Sequence, residues 1–121
     1  MAAIRYFVTD VQQAVDFYSK SFDFKLKQQF GPNMAMLRHG DLTLWLAGPN
    51  ASASRPMPDG RKPEPGGWNR FVIEVADLRA TVAKLTAQGT RFRNEIVMGP
   101  GGQHILVEDP FGNVVELFQP A

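Results

Sequence analysis

The sequence predicts an α+β fold built from two tandem βαβββ modules. Three observations carry that expectation. An Asp followed by an amphipathic helix occurs twice, at Asp10-Val11 and at Asp77-Leu78. A β-prone run precedes each Asp, and three further strand-like runs follow each helix. The last strands also align, with Gly40-Asp41-Leu42-Thr43-Leu44-Trp45-Leu46 over Gly112-Asn113-Val114-Val115-Glu116-Leu117-Phe118. An internal duplication constrains the whole fold. A helix covers one face of each module's strands, so the other face must meet a partner, a ligand or its counterpart.

The first module runs over residues 1–46. Ala3 to Thr9 alternates, with Ile4, Tyr6 and Val8 on one face and Ala3, Arg5 and Phe7 on the other. Asp10 is a good N-cap, and Val11, Ala14, Val15, Tyr18 and Phe22 follow at helical spacing, predicting a helix over 11–22. Asp23 suits the left-handed position after it. Strands are expected over 24–30, 34–38 and 42–46, with turns at Gly31-Pro32-Asn33 and His39-Gly40-Asp41. Residues 47–67 hold five Pro and four Gly, which predicts a linker or lid without a persistent helix or strand.

The pattern restarts in a second module, residues 68–121. A strand is expected over 70–76, then Asp77 as N-cap and a helix carrying Leu78, Val82 and Leu85, with Gly89 at its end. Strands over 92–98, 103–108 and 114–118 complete the unit. The hairpin EDPFGNVVELF is the most explicit: Pro110 pre-sets φ, and Gly112-Asn113 is the pair most tolerant of positive φ. Within its β-prone run Glu116 is out of company. A carboxylate there is costly unless it faces a cavity, a cation or water.

Composition narrows the function classes. The chain has 121 residues and a net charge of +1, with no basic run, so no nucleic-acid partner is expected. It has no Cys, which excludes disulfides, thiolate metal sites and cysteine nucleophiles. No apolar run approaches the roughly 20 residues of a membrane span, so no membrane partner is expected. MAAIRYFVTD enters a strand pattern at once without the shape of a signal peptide, so a cytoplasmic location is expected.

The segments VTDVQQAVDFYSKSFDF, FVIEVADLRATVAKLTAQG and VEDPFGNVVELF resemble the vicinal oxygen chelate superfamily of glyoxalases, bleomycin-resistance proteins and extradiol dioxygenases. The resemblance covers nearly the whole chain. It implies a mixed sheet curled into an open cup, with helices on the outer face, the ligand site in the concave face, and a homodimer. Metal-dependent members place ligands at the first and last strand of each half. Counting back seven residues from each capping Asp gives Ala3 and Arg70. The last-strand slots are Glu116 and its duplicate, Leu44. Of these four only Glu116 can ligate a metal, whereas a catalytic divalent site takes about three protein ligands. His39, in a turn, and His104, away from the slots, do not complete such a set. The expectation is no metal and no cofactor.

The candidate site residues follow. Glu116 and Arg70 should share the cavity, either as a ligand-binding pair or base, or simply as a carboxylate neutralised by its neighbour. His104, with Leu106 and Glu108 on one strand face, is a second candidate acid/base, against a plain solvent-facing His. Arg5, Phe7, Leu44, Leu46 and Phe118 are expected to line the cup, while Trp45 by alternation packs beneath the helices. Trp68 can close over a ligand or cover an interface. Arg55, Arg61 and Lys62 are loop cations, usually just solvated. The resulting expectation is a small-molecule-binding protein of this superfamily acting without a metal, with drug sequestration the nearest analogy. A cationic glycopeptide drug is disfavoured, because sequestering proteins for such drugs tend to be acidic. The alternatives are a metal-independent lyase or isomerase with Glu116 as base, and a metal-dependent glyoxalase- or dioxygenase-type enzyme.

Overall fold

A computed structural model describes residues 2–121, which divide into two compact units, one ending at Gly66 and the other running over Gly67–Ala121. The α+β class is as expected: each unit is one mixed sheet with one helix.

In the first unit β1 (Ala3–Phe7) leads into α1 (Val11–Phe22). Asp10 caps the helix by accepting from the Gln13 amide at 3.0 Å, and Asp23 takes the left-handed conformation (φ 59°, ψ 31°) that ends it. Then come β2 (Lys25–Phe30), β3 (Met34–His39) and β4 (Leu42–Ala47). The sheet order is β1-β4-β3-β2, with β1 and β4 parallel and the others antiparallel. The helix buries Val11, Ala14, Val15, Tyr18 and Phe22. Tyr18 is fully buried and meets Phe24 edge-on, with ring centroids 5.7 Å apart. Tyr6, Val8, Leu37, Leu44 and Leu46 complete this core.

Three expectations change here. Ile4 pairs with Leu44 and Tyr6 with Leu46, and both leucines are fully buried on the helix side rather than on the cup face. Trp45 instead pairs with Arg5 and is only half-buried, so it lies on the open face and not beneath the helix. The cause is register: a shift of one residue exchanges the two faces of a strand. His39 is likewise not in the turn. It is the last residue of β3, its ring 5.3 Å from that of Phe24.

Beyond β4, Gly48 packs closely on the β2–β3 turn. Its amide donates to the Asn33 carbonyl at 2.9 Å, and a Cβ there would come within 2.9 Å of Val11 Cγ2. The segment also holds one short 3-10 turn, Ser52–Ser54, where no helix was expected.

The second unit has β5 (Val72–Glu74), α2 (Leu78–Ala87), β6 (Arg91–Phe92), β7 (Val97–Gly99), β8 (Gly102–Glu108) and β9 (Val114–Pro120). Its order is β5-β9-β8-β6, with β7 also on β8 and β5 parallel to β9. Asp77 caps α2 through the Ala80 amide at 3.0 Å, and the Gln119 side chain accepts from Leu78 N at 2.8 Å, tying the helix start to β9. The strand expected over 92–98 is broken. Leu106 N donates at 2.9 Å to the Asn94 side chain instead of to a strand carbonyl, which separates β6 from β7.

The β8–β9 turn is held by a buried polar lock. Asp109 is 1% exposed, and its Oδ1 accepts from Phe111 N and Asn113 N, both at 2.9 Å, while Oδ2 accepts from Asn113 Nδ2 at 2.9 Å. Gly112 supplies the positive φ of 86°; Asn113 does not share it and serves through its side chain. Asp109→Ala would strand two buried donors and one part-buried donor, and loss of a satisfied buried acceptor costs about 1–3 kcal/mol or more. Chemical denaturation is expected to show a stability loss of about 2–4 kcal/mol; an unchanged midpoint would rule out the lock as a stabilising element.

Candidate functional site

The side of the second sheet opposite Ile73, Ile105, Val107 and Leu117 carries most of the predicted polar groups. The register places Glu116 beside Leu106 and Val72, and Phe118 beside His104 and Glu74. Strand alternation puts Glu108 on the same face. Arg70 precedes β5 and folds onto Glu116.

The Arg70–Glu116 pair is brought together as expected. Arg70 Nη2 and Nε donate to the same oxygen, Glu116 Oε1, at 2.8 and 3.1 Å, and Arg70 Nη1 donates to the Trp68 carbonyl at 3.3 Å. The side chains are 30% and 16% exposed, so the pair is partly shielded from solvent. Among the described residues Glu116 Oε2 accepts no hydrogen bond. The carboxylate therefore keeps one oxygen for a further donor.

His104 shares this face but not this network. It is diagonal to Glu116 across β8 and β9, and its ring makes no hydrogen bond with the described residues. Diagonal neighbours lie about 7–8 Å apart at Cα, and no hydrogen bond joins His104 to Glu116 among the described residues. Phe118 is half-buried alongside. Trp68 is 69% exposed.

A residue not expected at the site organises its edge. Arg93 donates Nε to Glu108 Oε2 at 2.9 Å, Nη1 to the Gly67 carbonyl at 2.7 Å and Nη2 to the Gly112 carbonyl at 2.8 Å. Its guanidinium also lies 4.6 Å from the centroid of the Trp68 ring. One side chain thus ties the entry to β5, the β8–β9 turn and an exposed indole. Arg93 stands in an apparent strand, where spacing marks it as an ordinary outward residue. Its partners are remote in sequence.

The first unit has its own open face. Ala3 and Arg5 are exposed and Phe7 is half-buried. The Arg5 guanidinium lies 5.0 Å from the Trp45 ring centroid. A cavity of about 330 Å³ opens beside Arg5. Of the loop cations, Arg61 pairs with Asp59 at 2.8 Å on the surface. Arg55 and Lys62 are exposed and make no ion pair among the described residues.

Comparison with known proteins decides the family. A model of the Glyoxalase/Bleomycin resistance protein/Dioxygenase superfamily matches residues 1–117. The chain belongs to this superfamily. A superfamily member from Sphaerobacter thermophilus DSM 20745 is 25% identical, with a TM-score of 0.77 over 98% of this chain and 95% of the other. TnmS3, an antibiotic binding protein from Streptomyces sp. CB03234, is 26% identical, with a TM-score of 0.73 over 98% and 93%. A lactoylglutathione lyase from Agrobacterium tumefaciens is 19% identical, with a TM-score of 0.75 over 98% and 92%, a likeness of fold alone. A search of curated protein sequences finds no significant match.

The register fixes which residues occupy the superfamily metal slots. Val8 N donates to the Ala47 carbonyl in the first unit, and Val75 N to the Phe118 carbonyl in the second. With Asp10 matched to Asp77, the counterpart of Glu116 is Trp45, not Leu44. The four positions hold Ala3, Trp45, Arg70 and Glu116. An indole N–H is a donor only, so the correction adds no ligand. Among the described residues no three His, Asp or Glu side chains cluster as a metal site. The donor set does not fit a catalytic divalent ion. No helix among the described residues is long and apolar enough to cross a membrane.

Arg93→Met removes three hydrogen bonds and the indole contact. A loss of about 1–3 kcal/mol in urea unfolding is expected, with a shift in Trp68 emission as its cationic cover is lost. Unchanged unfolding and emission would show that Arg93 does not hold this edge.

Proposed function

We propose that this protein binds a small organic ligand on the open faces of its sheets without a metal ion, as a sequestering member of the superfamily. The carrying observation is that Arg70 donates twice to Glu116 Oε1, which puts a permanent cation against the one slot residue able to ligate a metal. The antibiotic-binding neighbour at 26% identity supports a binding role. On this reading Glu116 Oε2 accepts a hydrogen bond from the ligand. Arg70 orients the carboxylate, and Phe118 and Trp68 offer aromatic surface within the same unit. Leu44 and Leu46 are left to the core. The protein acts as a homodimer in the cytoplasm. Exposed Phe30, Val72, Trp68 and Met98 are consistent with apolar surface that a second copy or a ligand would cover.

A second reading is favoured by one feature, the unengaged Glu116 Oε2 beside a guanidinium. In a metal-independent lyase or isomerase that oxygen removes a proton from the substrate, and Arg70 steadies the developing oxyanion.

Native mass spectrometry of gently purified protein is expected to show a dimer, no stoichiometric metal and a co-purified or added small molecule. Zinc, nickel, iron or manganese at one per chain, removed by chelator together with activity, would overturn the metal-free reading. Glu116→Gln separates the two remaining readings. Binding should weaken less than about tenfold, since a neutral amide still accepts one hydrogen bond. A base-dependent turnover should fall about 100-fold or more.

A further inference from the structure

The first unit holds a cation that no carboxylate of the described residues engages. In the second unit Arg70 and Arg93 are each paired with a Glu. Arg5 is not paired. It is exposed on the open face of β1, and its guanidinium lies over the Trp45 ring. The parallel register sets Arg5 directly beside Trp45. The indole therefore fixes the direction of the cation without neutralising it.

The cavity of about 330 Å³ beside it is of small-molecule size. Among the described residues Arg5 is its one charged lining group. Phe30 and Met34 supply apolar wall, and Asn33, Asn50 and Ser52 supply neutral polar groups. Phe30 is 50% exposed, leaving ring surface for a ligand. The wall formed by residues 50–53 is held in place. Gly48 N donates to the Asn33 carbonyl at 2.9 Å, and Ser54 Oγ donates to the Gly48 carbonyl at 2.7 Å. A cavity with apolar walls, neutral amides and a single guanidinium suits a flat apolar molecule bearing one negative charge.

We infer that this cavity is a binding site for an aromatic organic anion. The anionic group meets Arg5 and the ring lies along Phe30 and Met34. Trp45 is a positioning residue that aims Arg5. The inference rests on the proposed small-molecule-binding function and adds to it a site in the first unit, distinct from Glu116, with its own ligand class.

The test uses the full chain and defined probes: 2-naphthoate, the neutral 2-naphthalenemethanol, the cationic 2-naphthylmethylammonium, and inorganic phosphate alone. Calorimetry is expected to show naphthoate binding about tenfold or more tighter than the alcohol, the ammonium weakest, and phosphate alone not binding. In a ¹⁵N-correlated spectrum the indole N–H signal of Trp45 should move on naphthoate binding and that of Trp68 should stay. Arg5→Gln should bring naphthoate down to the affinity of the alcohol with the circular dichroism spectrum unchanged, and Phe30→Ala should weaken both. Equal affinity for naphthoate and alcohol, a preference that survives Arg5→Gln, or a shift at Trp68 alone would overturn the anion site while leaving small-molecule binding intact. No binding of any probe at millimolar concentration would also overturn it. If native mass spectrometry then found no other bound molecule, the proposed function would fall too.

Discussion

Each module pairs its first strand with its last in parallel, β1 with β4 and β5 with β9. What the open faces present depends on that pairing. Strand side chains alternate with a period of two, so fixing one pair fixes every residue on both faces. Ile4 beside Leu44 and Tyr6 beside Leu46 bury an apolar layer against α1. The same register leaves Arg5 beside Trp45 on the other side. In the second module Val72 beside Glu116 does the equivalent, and Arg70, just before β5, reaches the carboxylate.

The two open faces differ in their electrostatics. The second contains its charges internally, with Arg70 on Glu116 and Arg93 on Glu108. Removing either Arg would leave a partly buried carboxylate without its counter-charge, which is why such pairs persist even where their net contribution to stability is small. The first face has a guanidinium on an indole and, among the described residues, no acid paired with it. A cation–π contact orients without cancelling charge, so that face still attracts an anion. A duplicated scaffold thus carries two chemically distinct surfaces.

The chain reversals that hold these faces are local. Asp10 and Asp77 each cap a helix through the amide three residues on. Asp23 ends α1 in a left-handed turn, and Asp109 closes the β8–β9 turn through Asn113. Asp10, Asp77 and Asp109 use a short carboxylate close to backbone donors and Asp23 its left-handed backbone, all properties of neighbouring residues. Arg93 is the exception, because it joins Gly67, Glu108 and Gly112 across the sequence.

Local chemistry explains what could be read in advance. The duplication, the two capped helices, Asp23 and the pairing of Arg70 with Glu116 all follow from short motifs and from the spacing of the repeat. The sequence by itself determined the α+β class, the superfamily likeness and the poverty of the metal slots, since side-chain type alone denies Ala3 and Arg70 a donor pair. Aligning the repeats at their turns, however, put Leu44 opposite Glu116. The correct partner is Trp45, because one more residue separates Gly40 from that position than separates Gly112 from Glu116. Only the hydrogen-bonded register between distant strands decided this, and with it which residue faces the helix and which lies on the open face. The tertiary structure likewise decided that Arg93 is a hub and that Arg5 meets an indole and no carboxylate among the described residues, because a charge's partner depends on chain segments that sequence separation does not reveal.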